Sequence, residues 1–269
     1  MATNLDNPGL KSIVSNYDLF YIDIWGVIHN GISLFKDSVE VLNNLERLNK
    51  EYILLTNAPR PNINVMDFVE KMGMSKKNSS KVYTSGEAAL DYLISHYKDK
   101  KFFHIGPPRD FSLFKAFKNN KINDVNKSEY LLCTGLFDDH DKELSYYNNL
   151  LTKNINKIMI CTNPDLIVDR GNNREFCAGS IAKIFEEIGG KVEYFGKPYP
   201  KVYNQATNLN NKKVLCIGDN LNTDIRGANL QNFDSLFITN GIHKKEINKN
   251  EIKNLFDKYE VSVNFFQTD

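Results

Sequence analysis

Three short apolar runs of this sequence end in polar residues that can do chemistry. They are Asp23 after the run 19–22, Thr56 after 52–55 and Asp219 after 214–217. A carboxylate can act as a nucleophile or as a ligand of a divalent cation, and a hydroxyl can donate to an anionic oxygen. Transfer of a phosphoryl group needs such a set, together with a cation that offsets the charge on the phosphate oxygens.

We predict that these runs are buried strands, because they are too short for helices and rich in branched and aromatic residues. A helical pattern beginning at Asp37 separates the first two runs, and a crossover of that length implies a parallel pair. Ligands of parallel α/β sheets bind outside the carboxyl ends of the strands. Asp23, Thr56 and Asp219 are therefore expected at one edge of one sheet.

The segment 85–194 has strand-like runs of its own, at 101–105, 130–133 and 157–161. Helical patterns separate these runs, so the segment can form a second α/β module. We predict a core domain made of residues 1–84 and 195–269, with an α/β domain inserted at 85–194.

Composition narrows the class of function. A formal net charge of +1 over 269 residues argues against a nucleic-acid binder that relies on a basic field. No stretch approaches the roughly 18 apolar residues of a membrane-spanning helix, and the N-terminus has no apolar signal segment. The four cysteines form no C-x-x-C motif. These features favour a cytoplasmic protein that acts on small molecules, without nucleic-acid or membrane partners.

Four short segments follow one another in this order along the chain, at the predicted strand ends: 23–27 (DIWGV), 55–57 (LTN), 196–198 (GKP) and 218–224 (GDNLNTD). As an ordered set they resemble the motifs of the haloacid dehalogenase-like (HAD) superfamily of phosphohydrolases. The resemblance covers about residues 17–240. It implies a three-layer, Rossmann-like core around a parallel sheet.

The resemblance also implies how a phosphate ester would be held and cleaved. Asp23 would attack phosphorus and form an aspartyl-phosphate, which water then hydrolyses. Thr56 and Asn57 would bind the phosphate. Lys197 would neutralise the phosphate and keep Asp23 ionised. The expected substrate is a small-molecule phosphate ester.

A magnesium site is implied beside these groups. Asp23, Asp219 and the backbone carbonyl of Trp25 would ligate Mg²⁺, and Asp224 would orient a ligand or a metal-bound water. Most phosphatases of the superfamily have an acid–base aspartate where this chain has Trp25. An indole cannot exchange a proton near neutral pH, so the roughly 10²–10⁴-fold of general acid–base catalysis has no obvious source. His29 is the nearest titratable substitute, although a structural histidine is the commoner case.

Segments 84–89 and 161–165 resemble the NagD-like members, subclass IIA of the superfamily. That subclass has an α/β cap (C2a type) between the second and third motifs, which matches the insertion at 85–194. The implied cap excludes water and selects the leaving group. Further substrate contacts are expected from Asn163, Asp165, Gly179, Ser180, Arg60 and Arg174. A plain turn with a helix cap, and ordinary surface arginines, are the alternatives.

The leading prediction is a Mg²⁺-dependent phosphomonoester hydrolase for a small phosphorylated metabolite, slow in turnover because of Trp25. One alternative is a phospho-metabolite-binding or regulatory protein whose catalysis has faded. The other is a carbon–halogen hydrolase, since such members of the superfamily also lack the second aspartate. They need no metal, however, so the motif at 218–224 favours phosphate chemistry. Caps of this subclass often take part in dimer contacts, which makes a homodimer the assembly to test.

Overall fold

The computed structural model describes residues 2–171, 173–247 and 252–268. Its strands are β1 (Thr3–Asn4), β2 (Leu19–Ile22), β3 (Glu51–Thr56), β4 (Val82–Thr84), β5 (Phe102–Ile105), β6 (Tyr130–Cys133), β7 (Ile158–Cys161), β8 (Ile167–Arg170), β9 (Asn173–Phe176), β10 (Lys191–Tyr194), β11 (Val214–Gly218), β12 (Asp234–Ile238) and β13 (Phe265–Gln267). Its α-helices are α1 (Lys36–Arg47), α2 (Asn62–Lys71), α3 (Lys76–Ser79), α4 (Ser85–His96), α5 (Leu144–Thr152), α6 (Ala178–Glu187), α7 (Pro200–Ala206), α8 (Arg226–Gln231) and α9 (Ile252–Lys258).

The larger sheet is parallel throughout, in the order β1-β13-β12-β11-β2-β3-β4. Strand β2 coincides with the predicted run, and all four of its residues are buried. It lies between β11 and β3, so the residues that follow these three strands meet at one edge. Helix α1 begins at Lys36, one residue before the predicted start at Asp37, and Phe35 precedes it without a side-chain cap.

A second parallel sheet, in the order β10-β7-β6-β5, forms the cap. The predicted fold class, a parallel α/β core with an inserted α/β cap, is confirmed. Strand β4 ends at Thr84 and β10 ends at Tyr194, next to the predicted domain limits. The limits themselves stay a prediction.

One apolar cluster runs continuously from the core sheet to the cap sheet. It contains Tyr21 and Leu55 of the core sheet, Phe102 and Tyr130 of the cap sheet, and residues of α4 and α7 between them. Burial of this much apolar surface holds the cap against the core. The carboxyl edge of the core sheet therefore faces cap residues.

The cap carries an antiparallel hairpin, β8–β9, between β7 and α6. The sequence patterns did not reveal this hairpin. Of its eight strand residues, four are partly buried and four are exposed, and the hairpin reaches towards the core. In the part of the chain that the structure describes, no helix is long and apolar enough to cross a membrane.

Candidate active site

A cavity of about 310 Å³ opens at the carboxyl ends of β2, β3 and β11. The core lines it with residues of the first, second and fourth motifs and with Lys197. The cap lines it with Asp165 and with hairpin residues of β8. Core and cap thus share one cavity. It lies outside the carboxyl ends of the strands, where ligands of parallel sheets usually bind.

Three acidic side chains that are far apart in the sequence meet in this cavity. Asp23, Asp219 and Asp224 are buried, and each offers a carboxylate oxygen within 4.8 Å of the other two. The Nζ of Lys197 lies 2.5 Å from Asp23 Oδ1 and 2.7 Å from Asp224 Oδ1. It also donates to the carbonyl of Leu55 at 2.8 Å.

Glycines make room for the Asp219 carboxylate. Gly26 has φ +86°, and a Cβ there would lie 2.2 Å from Asp219 Oδ2. A Cβ on Gly241 would lie 2.0 Å from the same oxygen. A side chain at either position would therefore displace the carboxylate. The backbone N–H of Ile242 donates to Asp219 Oδ2 at 2.8 Å and fixes its orientation.

The loop of the fourth motif is held in a single π-helical turn, Leu221–Ile225. The N–H of Asn220 donates to Asp224 Oδ2 at 3.1 Å. The N–H of Leu221 donates to Nε2 of the buried His243 at 3.2 Å, which requires the proton of this imidazole on Nδ1, facing Glu246. These bonds present Asp224 towards Lys197.

The acidic cluster carries more negative charge than its one neighbouring ammonium can offset. Burial raises the pKa of Asp23 to about 7, although Lys197 opposes the shift. Burial, and then repulsion from Asp23 and Asp224, raise the pKa of Asp219 well above its usual value. Burial lowers the pKa of Lys197, but the charges of Asp224 and Asp23 raise it by more. Three buried carboxylates share one ammonium, and a hard divalent cation fits this oxygen donor set.

Asn57 joins the second motif to the third motif and to the cap. Its Oδ1 accepts from the backbone N–H of Lys197 at 2.7 Å. Its Nδ2 donates to the carbonyl of Lys197 at 2.9 Å and to Asp165 Oδ1 at 3.1 Å. Thr56 is buried at the cavity wall, where its Oγ1 accepts from the N–H of Ala58 at 3.3 Å.

The side chain of Trp25 is directed to the hairpin. Its Nε1 donates to the carbonyl of Asp169 at 2.7 Å, and the Arg170 guanidinium lies 5.1 Å from the ring centroid. His29 packs edge-on against the indole. Burial, with a smaller effect of Arg170, lowers the pKa of His29 to about 4, so this histidine is neutral near pH 7.

Several predicted substrate contacts lie outside the cavity lining. Arg60 pairs with Asp110 at 2.7 Å, and Arg174 makes two bonds to Asp169. Asn163 Oδ1 accepts from the N–H of Asp165, Ser180 Oγ donates to the carbonyl of Leu166, and Gly179 packs against the backbone of 164–165. These contacts are internal to the fold. Their substrate roles stay predictions.

Sequence reasoning missed the residues that the hairpin brings to the cavity, namely Ile167, Val168, Asp169 and Gly171. It also missed Lys244, which lines the cavity from the loop after β12. The glycine and two asparagines at 171–173, between two four-residue runs, are a turn signal that could have revealed the hairpin. No pattern in the sequence indicated where its side chains would point.

The chain is similar to known hydrolases in sequence and in structure. A family model of haloacid dehalogenase-like hydrolases matches residues 20–118, and a second HAD-like hydrolase model matches residues 194–257. A 4-nitrophenylphosphatase of Schizosaccharomyces pombe is 26% identical over 279 residues, covering 91% of this chain and 92% of that protein. The 5′-nucleotidase YutF of Bacillus subtilis is 22% identical over 241 residues, covering 87% of this chain and 91% of that protein.

Among solved structures, a haloacid dehalogenase-like hydrolase from Brucella suis superposes with a TM-score of 0.80. It is 30% identical, and the match covers 87% of this chain and 89% of that one. The chain belongs to the haloacid dehalogenase-like hydrolases. Within the HAD-like hydrolases, its α/β cap between the second and third motifs makes it NagD-like, of subclass IIA, as predicted.

Proposed function

We propose that this HAD-like hydrolase is a Mg²⁺-dependent phosphomonoester hydrolase that acts on a small phosphorylated metabolite through an aspartyl-phosphate on Asp23. One observation carries the proposal: Asp23, Asp219 and Asp224 converge in a cavity, with Lys197 bonded to two of them. A cluster of three acids, two of them bonded to one buried lysine, suits an anionic substrate that arrives with a divalent cation.

The chain's own residues have distinct tasks in this proposal. Asp23 provides the nucleophilic oxygen, and its contact with Lys197 stabilises the ionised form that attack requires. Once phosphate is bound, the same ammonium offsets the charge on the transferring group. Thr56, at the cavity wall, donates its hydroxyl to a phosphate oxygen. Asn57 fixes the backbone of Lys197 from both sides, so the ammonium stays in place.

The residues fit a magnesium ion. Asp23 and Asp219 would hold it with the carbonyl of Trp25, while Asp224, bonded to Lys197, would orient the ligands. When bound, Mg²⁺ supplies positive charge that stabilises the phosphate oxygens during transfer. Among the described residues Asp219 forms no ion pair, which leaves its carboxylate available for a cation.

The relatives support phosphate chemistry over carbon–halogen hydrolysis. Two curated relatives that match along most of this chain are named as a 4-nitrophenylphosphatase and a 5′-nucleotidase. Carbon–halogen hydrolysis needs no metal, so it would not require a buried acidic cluster that can ligate one. The cytoplasmic location and the homodimer stay predictions.

Phosphate release from 4-nitrophenyl phosphate, nucleotides and sugar phosphates tests the proposal, with Mg²⁺ or with EDTA. We expect Mg²⁺-dependent release that Asp23→Asn abolishes, while Asp18→Asn, outside the cavity lining, leaves it unchanged. Tight binding of the esters without release would favour the regulatory protein. Halide release from a haloacid, assayed in parallel and persisting in EDTA, would favour the carbon–halogen hydrolase.

A further inference from the structure

The proposed reaction needs a proton donor that Trp25 cannot supply. An ester oxygen leaves phosphorus readily only when it is protonated or is already a stable anion. The indole N–H of Trp25 is engaged by the carbonyl of Asp169. His29 does not line the cavity, and its ring is buried against Trp25. The proton must come from elsewhere.

Among the described residues, five carboxylic side chains line the cavity: Asp23, Asp165, Asp169, Asp219 and Asp224. The nucleophile and the proposed metal site use three of them. Asp169 makes two hydrogen bonds with the guanidinium of Arg174, which hold its pKa below the ordinary range. It therefore stays ionised. Asp165 is the remaining acid.

Asp165 is held firmly at the cap side of the cavity. Its backbone N–H donates to Asn163 Oδ1 at 3.0 Å, and its carbonyl accepts from the N–H of Gly179 at 3.1 Å. Its Oδ1 accepts from Asn57 Nδ2, the same group that donates to the carbonyl of Lys197. The side chain is thus tied to the residue that carries the catalytic ammonium.

The geometry points to Asp165 as the proton donor to the leaving oxygen and the proton acceptor from the attacking water. It enters the cavity from the cap segment that follows β7, whereas the superfamily's usual acid belongs to the core at the position of Trp25. Burial, with repulsion from Asp224, raises the pKa of this carboxyl to about 6 despite the opposing charge of Lys197. An acid of that strength can serve in both directions near neutral pH.

This role of Asp165 rests on the proposed function. An Asp23 oxygen forms a bond to phosphorus, the bond from phosphorus to the ester oxygen breaks, and the Asp165 proton moves to that oxygen to release an alcohol. Water then forms a bond to phosphorus and gives a proton to the Asp165 carboxylate. The bond between phosphorus and Asp23 breaks, and phosphate leaves. Both aspartates return to their starting states.

A pair of aryl phosphates tests this role, because 4-nitrophenolate leaves without a proton while the phenol of phenyl phosphate needs one. We expect Asp165→Asn to lower kcat/KM for phenyl phosphate by about 10²–10⁴-fold and to affect the nitrophenyl ester by less than tenfold at the first turnover. With the nitrophenyl ester, the variant should release a burst of one nitrophenolate per protein and then slow, since water has lost its proton acceptor.

Asp169→Asn is the matched control, because it removes a charge from the same cavity wall and should change both esters by the same factor. An equal loss on both esters in Asp165→Asn, with no burst, would overturn the role of Asp165. If the wild-type protein releases no phosphate from either ester and behaves as Asp23→Asn does, the proposed function itself fails. The two failures are therefore distinct.

Discussion

The indole Nε1 of Trp25 donates to the backbone carbonyl of Asp169 at 2.7 Å, and so joins the first motif of the core to the cap hairpin. Arg174 adds a second link, because the guanidinium that pairs with Asp169 also donates to the carbonyl of Ile242 in the core. The residue that departs from the superfamily pattern thus has a structural contact of its own. It holds the hairpin over the cavity.

Trp25→Phe should loosen the hairpin while keeping an aromatic ring in place. A neutral hydrogen bond contributes about 0.5–1.5 kcal/mol, so the opening equilibrium of residues 167–176 should rise by about 2- to 10-fold. Hydrogen exchange of hairpin peptides measures this change. Tyr146→Phe, an exposed position on helix α5 of the cap, should leave it unaltered, and unchanged exchange in Trp25→Phe would show that the contact has no closing role.

Asp219→Asn should remove the response of stability to Mg²⁺. For the wild-type protein, Tm should rise with Mg²⁺, by the equivalent of about 2.7 kcal/mol at a concentration 100 times the Kd. The variant keeps an oxygen for the N–H of Ile242 but loses the charge that a cation needs. Thermal melts with and without Mg²⁺ provide the measurement. The exposed Asp141→Asn is the control, and an undiminished Mg²⁺ response in Asp219→Asn would place the metal elsewhere.

Arg60→Met should destabilise the protein without raising KM, because Arg60 is engaged with the buried Asp110. Leaving that carboxyl without its partner costs about 1–3 kcal/mol. Asp110→Asn in the same background should recover much of the loss, so a double-mutant cycle from urea unfolding should show coupling. A rise in KM with no coupling would instead support the predicted contact between Arg60 and substrate.

His104 should make the cap less stable at low pH. Burial, with a smaller effect of Lys121, lowers the pKa of His104 to about 3, so the folded protein keeps this ring neutral where the unfolded chain is protonated. The stabilising contribution is complete above the unfolded pKa of about 6.5 and is lost as pH falls towards the folded value.

At pH 5 the loss from His104 should be about 2 kcal/mol. Urea unfolding between pH 5 and 7 measures it, and His104→Gln should flatten the pH dependence relative to the wild-type protein. The exposed His96→Gln is the matched control. Identical pH curves for His104→Gln and wild type would contradict the assignment.

The fold could be predicted from the sequence more fully than the side of the cavity that the cap lines. Residues 19–22 form an apolar run that is too short for a helix and rich in aromatic and branched residues, which favours a buried parallel strand, so β2 was placed correctly. Asp23, Asp219 and Asp224 lie together because the carboxyl ends of neighbouring parallel strands are bound to meet.

The cap contacts could not be derived in that way. The bond between Trp25 and Asp169 depends on how the cap packs against the core, and no periodicity encodes that distance. The Arg60 prediction assumed a free guanidinium, but Asp110, fifty positions away in the sequence, occupies it. Residues 163 and 179–180 were expected to contact substrate, but they make hydrogen bonds and packing contacts within the protein. The sequence could not show these contacts for the same reason.

All four cysteines are free and buried, and burial raises the pKa of each thiol. Cys133 and Cys161 lie side by side on the cap sheet, whereas Cys216 lies on the core sheet. An alkylating reagent can reach these sulfurs only through transient opening. The order in which they are modified would therefore record which layer of the molecule unfolds first, without any engineered label.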